Sequence, residues 1–351
     1  MERKTRKHDH IRLAMELSNH GKTAGFDDIT MIPNAIPEAG IDSVDLRLVF
    51  CGKSLQAPLL INAMTGGTDE SVPINRALAA AAARYGIGIA VGSQTIALRD
   101  SELRESFMVV RDENPDGLVL ANVGAMTAPE AALRAVQMIE ADGLQLHLNT
   151  AQELAMPEGD RQFDGMMENI HRITEAVSVP VIVKEVGCGL ARESVQKLFD
   201  AGVRIVDIGG RGGTSFVAIE RARKGNLAAD FESWGVPTAI SLAETVSLNL
   251  ALEIVASGGI TSGLAAAKAL AMGARIAGVA GHFLRVLLDD GPDELDQELQ
   301  RFLYNLKAAA VLTGSQNLTQ LQRVPMVIGG STALWLLMRG IDPGQWSCRS
   351  V

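Results

Sequence analysis

Cysteine is scarce. The 351 residues contain three, Cys51, Cys188 and Cys348, odd in number, far apart and without a CxxC pair. That excludes a disulfide framework, argues against a structural zinc site and fits a reducing compartment. Long apolar runs are missing too. The longest largely apolar, uncharged stretch, Val324 to Met338, contains a Gly-Gly pair and falls short of the ~20 residues a spanning helix needs. No apolar signal core follows the basic opening Met1 to His10. The expectation is a soluble, cytoplasmic chain with no membrane partner. Positive charge is in deficit, with 32 Lys and Arg against 41 Asp and Glu and a net charge of −9, which argues against nucleic acid as a partner. Arg3, Lys4, Arg6 and Lys7 are a local basic head on that acidic background.

What is present is a rhythm. After an N-terminal segment, residues 1–57, apolar runs alternate with helical patterns. The runs begin near Leu59, Ile87, Leu118, Leu144, Pro180, Arg204, Glu253 and Arg275, eight units in all. Alternating strands and helices predict a parallel sheet, and eight repeats predict an α/β fold closed as a (β/α)8 TIM barrel. An open doubly wound sheet calls for GxGxxG after its first strand, and Thr65-Gly66-Gly67-Thr68 does not supply it. The expected layout is one domain: N-terminal segment 1–57, barrel core 58–291, C-terminal helices 292–351. Ile11, Leu13, Ala14 and Leu17 predict a short helix at the start. Val44 to Phe50 alternates and Gly52-Lys53 turns it back into Leu55, a segment suited to closing one end of the core. Thr127-Ala128-Pro129-Glu130 reads as a capping box.

The fourth unit stands apart. Leu144, Leu146 and Leu148 alternate with Gln145, His147 and Asn149, and Gln152 and Glu153 follow. A parallel strand buried on both faces should be apolar throughout, and buried polar groups are costly unless paired or used. Catalytic groups of this barrel collect at the C-terminal ends of its strands. Those ends carry Met64-Thr65, Ser93, Asn122, Lys184 and Thr214, a polar and mostly uncharged ring with one ammonium. Such a ring suits an isoalloxazine, with Lys184 at the N1/O2 edge; the other reading of Lys184 is a solvated rim lysine. Ser257-Gly258-Gly259 and Ala280-Gly281 follow strands seven and eight, where a phosphate is often held. Glu153 reads as a general acid or base, or as an oxygen ligand for Mg²⁺ beside substrate phosphates. His147 reads as a base, a phosphate binder or a structural hydrogen bonder. Arg6, Lys7 and His10 share a helical face, either a solvated basic turn or a clamp on a second anion. Cys188 has no neighbouring histidine and reads as inert, and Trp234 as core packing or a loop anchor.

The ordered set resembles the type 2 isopentenyl diphosphate isomerases from the N-terminus to about residue 340. It comprises Arg6-Lys7-His8-Asp9-His10, Ile61-Asn62-Ala63-Met64-Thr65-Gly66-Gly67, Ala90-Val91-Gly92-Ser93-Gln94, His147-Leu148-Asn149 with Gln152-Glu153, and Met156-Pro157-Glu158-Gly159-Asp160-Arg161. It continues through Val183-Lys184-Glu185-Val186-Gly187, Asp207-Ile208-Gly209-Gly210 with Gly213-Thr214, Trp234-Gly235, Ala256-Ser257-Gly258-Gly259 and Ala280-Gly281-His282-Phe283. The resemblance implies an FMN-dependent barrel. In it Ala63, Met64, Thr65, Ser93, Asn122, Lys184, Thr214, Gly258, Gly259, Ala280 and Gly281 bind FMN. Arg6, Lys7, His10, His147, Asn149 and Gln152 serve the substrate. Glu153 binds Mg²⁺, and Gln152, Glu153 and His147 are the catalytic candidates. Thr95 and Thr261 stand where some members carry arginine.

The implied reaction is reversible isomerisation of isopentenyl diphosphate to dimethylallyl diphosphate. It uses reduced FMN, Mg²⁺ and NADPH as the reductant of FMN, in a homo-oligomer (tetramer or octamer). The alternatives are an FMN oxidoreductase on the same barrel, like inosine monophosphate dehydrogenase, which needs a nucleophilic cysteine at the mouth, and a non-catalytic flavin- or phosphate-binding barrel.

Overall fold

The computed structural model describes Arg12, Leu13, Glu16, Leu17 and residues 23–349. Twelve strands occur among them: β1 Ile29–Met31, β2 Leu48–Phe50, β3 Lys53–Leu55, β4 Leu59–Ile61, β5 Gly88–Ala90, β6 Val119–Gly124, β7 Gly143–Leu148, β8 Val181–Glu185, β9 Ile205–Asp207, β10 Glu253–Ser257, β11 Ile276–Val279 and β12 Met326–Ile328. Strands β4 to β11 pair in parallel in chain order. β11 closes back onto β4, with Val279 opposite Ile61, to give the expected eight-stranded barrel.

The barrel strands are apolar because helices cover their outer faces. Leu59, Leu60 and Ile61 are at most 2% exposed, and each such side chain contributes about 1.5–3 kcal/mol of burial. On the helix Ser71–Tyr85 the alanines Ala79 and Ala82 are fully buried, and Gly86 at φ +59° ends it. The alternation in β7 has a direct cause. Gln145 points into the barrel, where it meets Asn62 and Asn122. Leu144 and Leu146, both fully buried, then face the helical layer.

The hairpin β2–β3 lies across the N-terminal ends of the barrel strands. Arg275, just before β11, donates to Val49 O at 3.0 Å, and Lys53 donates to Asp116 O at 3.1 Å. A Cβ at Gly143, the first residue of β7, would come 3.3 Å from Cys51 Sγ. This closes the end opposite the chemistry, as the alternating segment before Leu55 predicts.

The C-terminal helices extend further than their apolar faces suggest. The pattern over Tyr304 to Leu312 is the end of a 21-residue helix, Pro292–Leu312, with proline in its first turn. Its Leu295, Leu299, Phe302 and Leu306 are buried at helical spacing. The helix Gly263–Met272 approaches closely enough that a Cβ at Gly263 would lie 2.2 Å from Phe302 O. The second helix is Gly330–Met338, and before it β12 pairs antiparallel with β1, Ile29 opposite Ile328. Three-residue strands joined across about 300 residues leave no local signal.

Two local readings need correction. The helix Pro129–Met138 has Ala128 at its N-cap and no side-chain cap, so Thr127 does not form a capping box. Trp234 is 63% exposed, so it is not core packing; its ring lies tilted beside Phe231, ring centroids 5.9 Å apart.

Glu244 ties the helix Gly330–Met338 to the barrel. It is 1% exposed and accepts hydrogen bonds from Arg339 Nε at 2.8 Å, Trp335 Nε1 at 2.9 Å and the Arg192 backbone N–H at 3.1 Å. Burial pushes its pKa up, but these donors outweigh it and the net shift is downward. A depressed carboxylate stabilises the fold above its unfolded pKa, and that stabilisation is lost as pH falls through the folded value. Glu244→Gln is expected to lower stability at neutral pH by on the order of 2 kcal/mol and to flatten the acid limb. Urea unfolding at neutral and acidic pH measures both, and an unchanged acid limb would count against this role.

Candidate active site

The polar side chains inside the barrel form one connected floor. Asn122 Nδ2 donates to Gln145 Oε1 at 3.0 Å, Gln145 Nε2 to Asn62 Oδ1 at 2.9 Å, and Asn62 Nδ2 to Asp207 Oδ2 at 2.7 Å. Lys184 Nζ reaches the same Asp207 oxygen at 2.9 Å and Ser257 Oγ at 3.3 Å. Ser257 Oγ donates to Asp207 Oδ1 at 2.5 Å, and the Gly209 N–H to that oxygen at 3.2 Å. At the outer end His147 Nδ1 is 2.9 Å from Asn122 Oδ1. Lys184 is 7% exposed, so it is no rim lysine. Its ammonium is not the sole charge of the ring either, because Asp207 balances it. Gln145 stood out from sequence on the polar face of its strand, Ser257 at the head of a glycine loop, and Asn62 and Asp207 within the family segments, but none of the four was assigned a site role. The polar positions inside apolar strands were the signal, but which of them meet depends on the closed barrel.

Above this floor lies a cavity of about 640 Å³. Ala63, Met64, Thr65, Ser93, Asn122, Lys184, Thr214, Gly258, Gly259, Ala280 and Gly281 all line it, as do His147, Asn149, Gln152 and Glu153. Arg99, Arg134 and Arg285 line it too, three guanidinium groups not read from sequence, and so do Thr95 and Thr261. The Thr65 hydroxyl is taken by Asn75 Oδ1. Arg6, Lys7 and His10 lie outside the described residues. The next part of their segment is at the mouth: Leu13 and Leu17 pack with Ile219, Met64 and Phe216, and Leu17 lines the cavity.

The short helix Thr150–Ala155 presents Gln152 and Glu153. Asn149 Nδ2 donates to Glu153 Oε1 at 2.7 Å, and the Asp160 N–H to Oε2 at 2.9 Å. Gly159 crosses so close that a Cβ would sit 2.0 Å from Glu153 O. Arg161 pins this turn by donating to Glu153 O and Met156 O. Gln152 Nε2 donates to Glu220 Oε1 at 3.3 Å, and the fully buried Glu220 pairs with Arg223, which also reaches Glu158 at 3.4 Å. The Met156 to Arg161 motif thus serves to hold two side chains on the cavity wall. No group of three His, Cys, Asp or Glu suited to a metal occurs among the described residues.

The family model for FMN-dependent dehydrogenases matches residues 96–327. The isopentenyl-diphosphate delta-isomerase of Moorella thermoacetica is 50% identical over 331 residues, covering 94% of this chain and 95% of its own. That of Symbiobacterium thermophilum is 47% identical, covering 97% and 96%. The chain belongs to the isopentenyl-diphosphate delta-isomerase family. Solved structures of mandelate oxidase, one bearing a monooxide FMN adduct, share the fold at TM-score 0.64 and 16% identity, covering 90% of this chain and 92% of theirs.

The cavity fits the FMN that the matched model names. Gly258 at φ +108° and Gly259 at φ +74° adopt backbone that favours glycine, and a Cβ at either would lie 2.0–2.3 Å from the Gly210 or Gly212 carbonyl oxygen. Gly281 opens the ten-residue helix Gly281–Asp290. Backbone N–H groups there and a helix N-terminus suit the phosphate. The Lys184 ammonium suits the electron-rich edge of the ring.

Cys188 follows β8 and lines a small side pocket with Glu185 and Trp234, not the main cavity. Glu185 closes this loop, accepting from the N–H groups of Gly187 at 2.6 Å, Cys188, and Gly189 at 2.9 Å. Burial pushes its pKa up to about 7 against the pull of those amides and Lys184. A raised carboxyl pKa gives stability that is complete below the ordinary value of 4.5 and lost as pH rises through about 7. Glu185→Gln keeps an acceptor for the amides without titrating. It should flatten the melting temperature across that window, whereas an equal slope in both proteins would refute the assignment.

Proposed function

We propose that the chain interconverts isopentenyl diphosphate and dimethylallyl diphosphate. The observation that carries this reading is the Gln152–Glu153 pair on the wall of the same cavity as Lys184 and the glycine loops, in a chain of this family. Adding a proton at C4 of an unactivated alkene and removing one at C2 passes through a tertiary cation, so the site must be preorganised and poor in water. FMN, when bound and reduced, supplies an electron-rich ring and an exchangeable proton. Glu153 would hold Mg²⁺, which would neutralise charge on a bound diphosphate, and one protein carboxylate suffices for such a role. Gln152, oriented by Glu220, faces the alkene. His147 and Asn149 line the substrate pocket. Arg6, Lys7 and His10 clamp the diphosphate, and the segment that follows them packs Leu13 and Leu17 against Met64 and Phe216.

NADPH would serve as the reductant of FMN without being consumed in proportion to product. No helix of the described residues is long and apolar enough to cross a membrane; we place the protein in the cytoplasm. Assembly as a homo-oligomer is supported by Leu334, Leu337 and Met338, 60%, 59% and 82% exposed on one helix. An oxidoreductase of the inosine monophosphate dehydrogenase kind is less well supported, because Cys188 does not line the cavity.

The test is an anaerobic assay with isopentenyl diphosphate, FMN, Mg²⁺ and NADPH, omitting each in turn. Dimethylallyl diphosphate should form only with FMN, reductant and Mg²⁺ together. Substrate-dependent, stoichiometric NADPH oxidation would overturn the reading.

A further inference from the structure

The floor has a property beyond holding Lys184. Its members form a single file: His147, Asn122, Gln145, Asn62, Asp207. Gln145 is fully buried, and Asn62 and Asn122 are each 3% exposed. A side-chain amide donates at one end and accepts at the other, so either orientation is open to it in isolation. Here one end of the file decides. Asp207 is a carboxylate that accepts only, with Lys184 2.9 Å away to balance it. Asn62 must therefore turn its NH₂ to Asp207. Its Oδ1 then faces Gln145, and also takes the Ala63 N–H at 2.9 Å. Gln145 must in turn give its NH₂ to Asn62 and its oxygen to Asn122. Asn122 gives its NH₂ to Gln145, and its oxygen is left for His147. An amide oxygen cannot donate, so the proton between them belongs to His147 Nδ1. Reversing one amide would set donor against donor or acceptor against acceptor in a buried place, at a cost of about 1–3 kcal/mol per unmade bond.

We propose that Gln145 and Asn62 are positioning residues that act through Asn122 to hold neutral His147 as the Nδ1–H tautomer, which makes Nε2 its accepting atom. Nε2 lies on the other side of the ring from Asn122, 3.3 Å from the place a Cβ on the cavity-lining Gly124 would occupy. The choice matters for catalysis only on the functional reading above, in which His147 meets the substrate. A carboxylate four hydrogen bonds away then sets which ring nitrogen can take up a proton or accept a bond from that side. Supporting groups commonly fix a histidine tautomer in this way, but here the support is a file of amides rather than a direct carboxylate.

The test is proton–nitrogen correlation NMR of the full-length, FMN-loaded protein with ¹⁵N-labelled histidine, in mildly alkaline buffer. The His147 signals are identified by their loss in His147→Asn. The expected pattern is a protonated, pyrrole-type Nδ1 and an imine-type Nε2. The opposite pattern in the parent protein overturns the proposal without any variant having to fold. Gln145→Met should abolish the preference and lower kcat/KM by on the order of a hundredfold, as lost supporting bonds and mis-set tautomers do elsewhere. Gln145→Glu should keep the preference, because a buried, protonated carboxyl can accept from Asn122 and donate to Asn62. An unchanged Nδ1–H pattern and unchanged kcat/KM in Gln145→Met would also overturn it. The spectrum does not depend on turnover, so an inactive protein with the expected tautomer refutes the functional reading and leaves this one standing.

Discussion

Asp207→Asn is expected to lower the melting temperature by roughly 4–7 °C and to yield protein with little flavin. The fully buried carboxylate receives four donors: Asn62, Lys184, Ser257 and the Gly209 N–H. An amide can accept at only one end, so at least one donor meets an NH₂ group, and Lys184 keeps a buried charge without its hydrogen-bonded counter-charge. Breaking a buried pair by neutralising one partner costs about 3–5 kcal/mol. Spread over an unfolding entropy of about 2.1 cal/mol/K per residue, that gives the stated shift for a chain of this length. Thermal unfolding and the flavin-to-protein absorbance ratio are the measurements. Adding Lys184→Gln to Asp207→Asn should recover part of the loss, since the two act as a pair. A single variant that melts within about 1 °C of the parent, fully loaded with flavin, would refute the role of the floor.

Glu153→Gln should lower kcat/KM on the order of 10²–10⁴-fold, the range associated with losing one positioned acid–base group, while flavin binding and melting temperature change little. The glutamine can still accept from Asn149 or from the Asp160 N–H, and Arg161 still pins the turn through backbone carbonyls. What is removed is the negative charge on the cavity wall. If that charge serves Mg²⁺, the variant should also need much more Mg²⁺ for half-maximal rate. Activity within about twofold of the parent at limiting Mg²⁺ would end the case for Glu153 as ligand or catalyst.

The sequence showed much of this site because strand ends converge in a barrel. Once eight units are counted, the residue at each C-terminal end is committed to one mouth, which is why Ser93, Lys184, Thr214 and the two glycine loops came together as expected. Arg99, Arg134 and Arg285 were not legible. They lie one or more turns past a strand end, where the reach of a long side chain depends on packing. The pairing of β1 with β12 was also illegible, because strands this short carry no pattern and their partners are about 300 residues apart. The Thr127 capping box failed at the level of single bonds: the residue types were right, but the helix begins one residue later than the motif requires.

For β7 the division is clear. Sequence alone determined that one face of Gly143–Leu148 is apolar and the other polar, because side-chain direction along a strand has period two. It also placed Gln152 and Glu153 just beyond that strand. Only the tertiary structure decided what the polar face does. Gln145, Asn62, Asn122 and Asp207 come from four different strands or strand ends, and their hydrogen bonds exist only when the sheet has closed. The direction of those bonds, and with it the proton on His147, is set by a carboxylate 60 residues further along the chain. No local pattern could carry it, because an amide has no preferred orientation until its neighbours are in place.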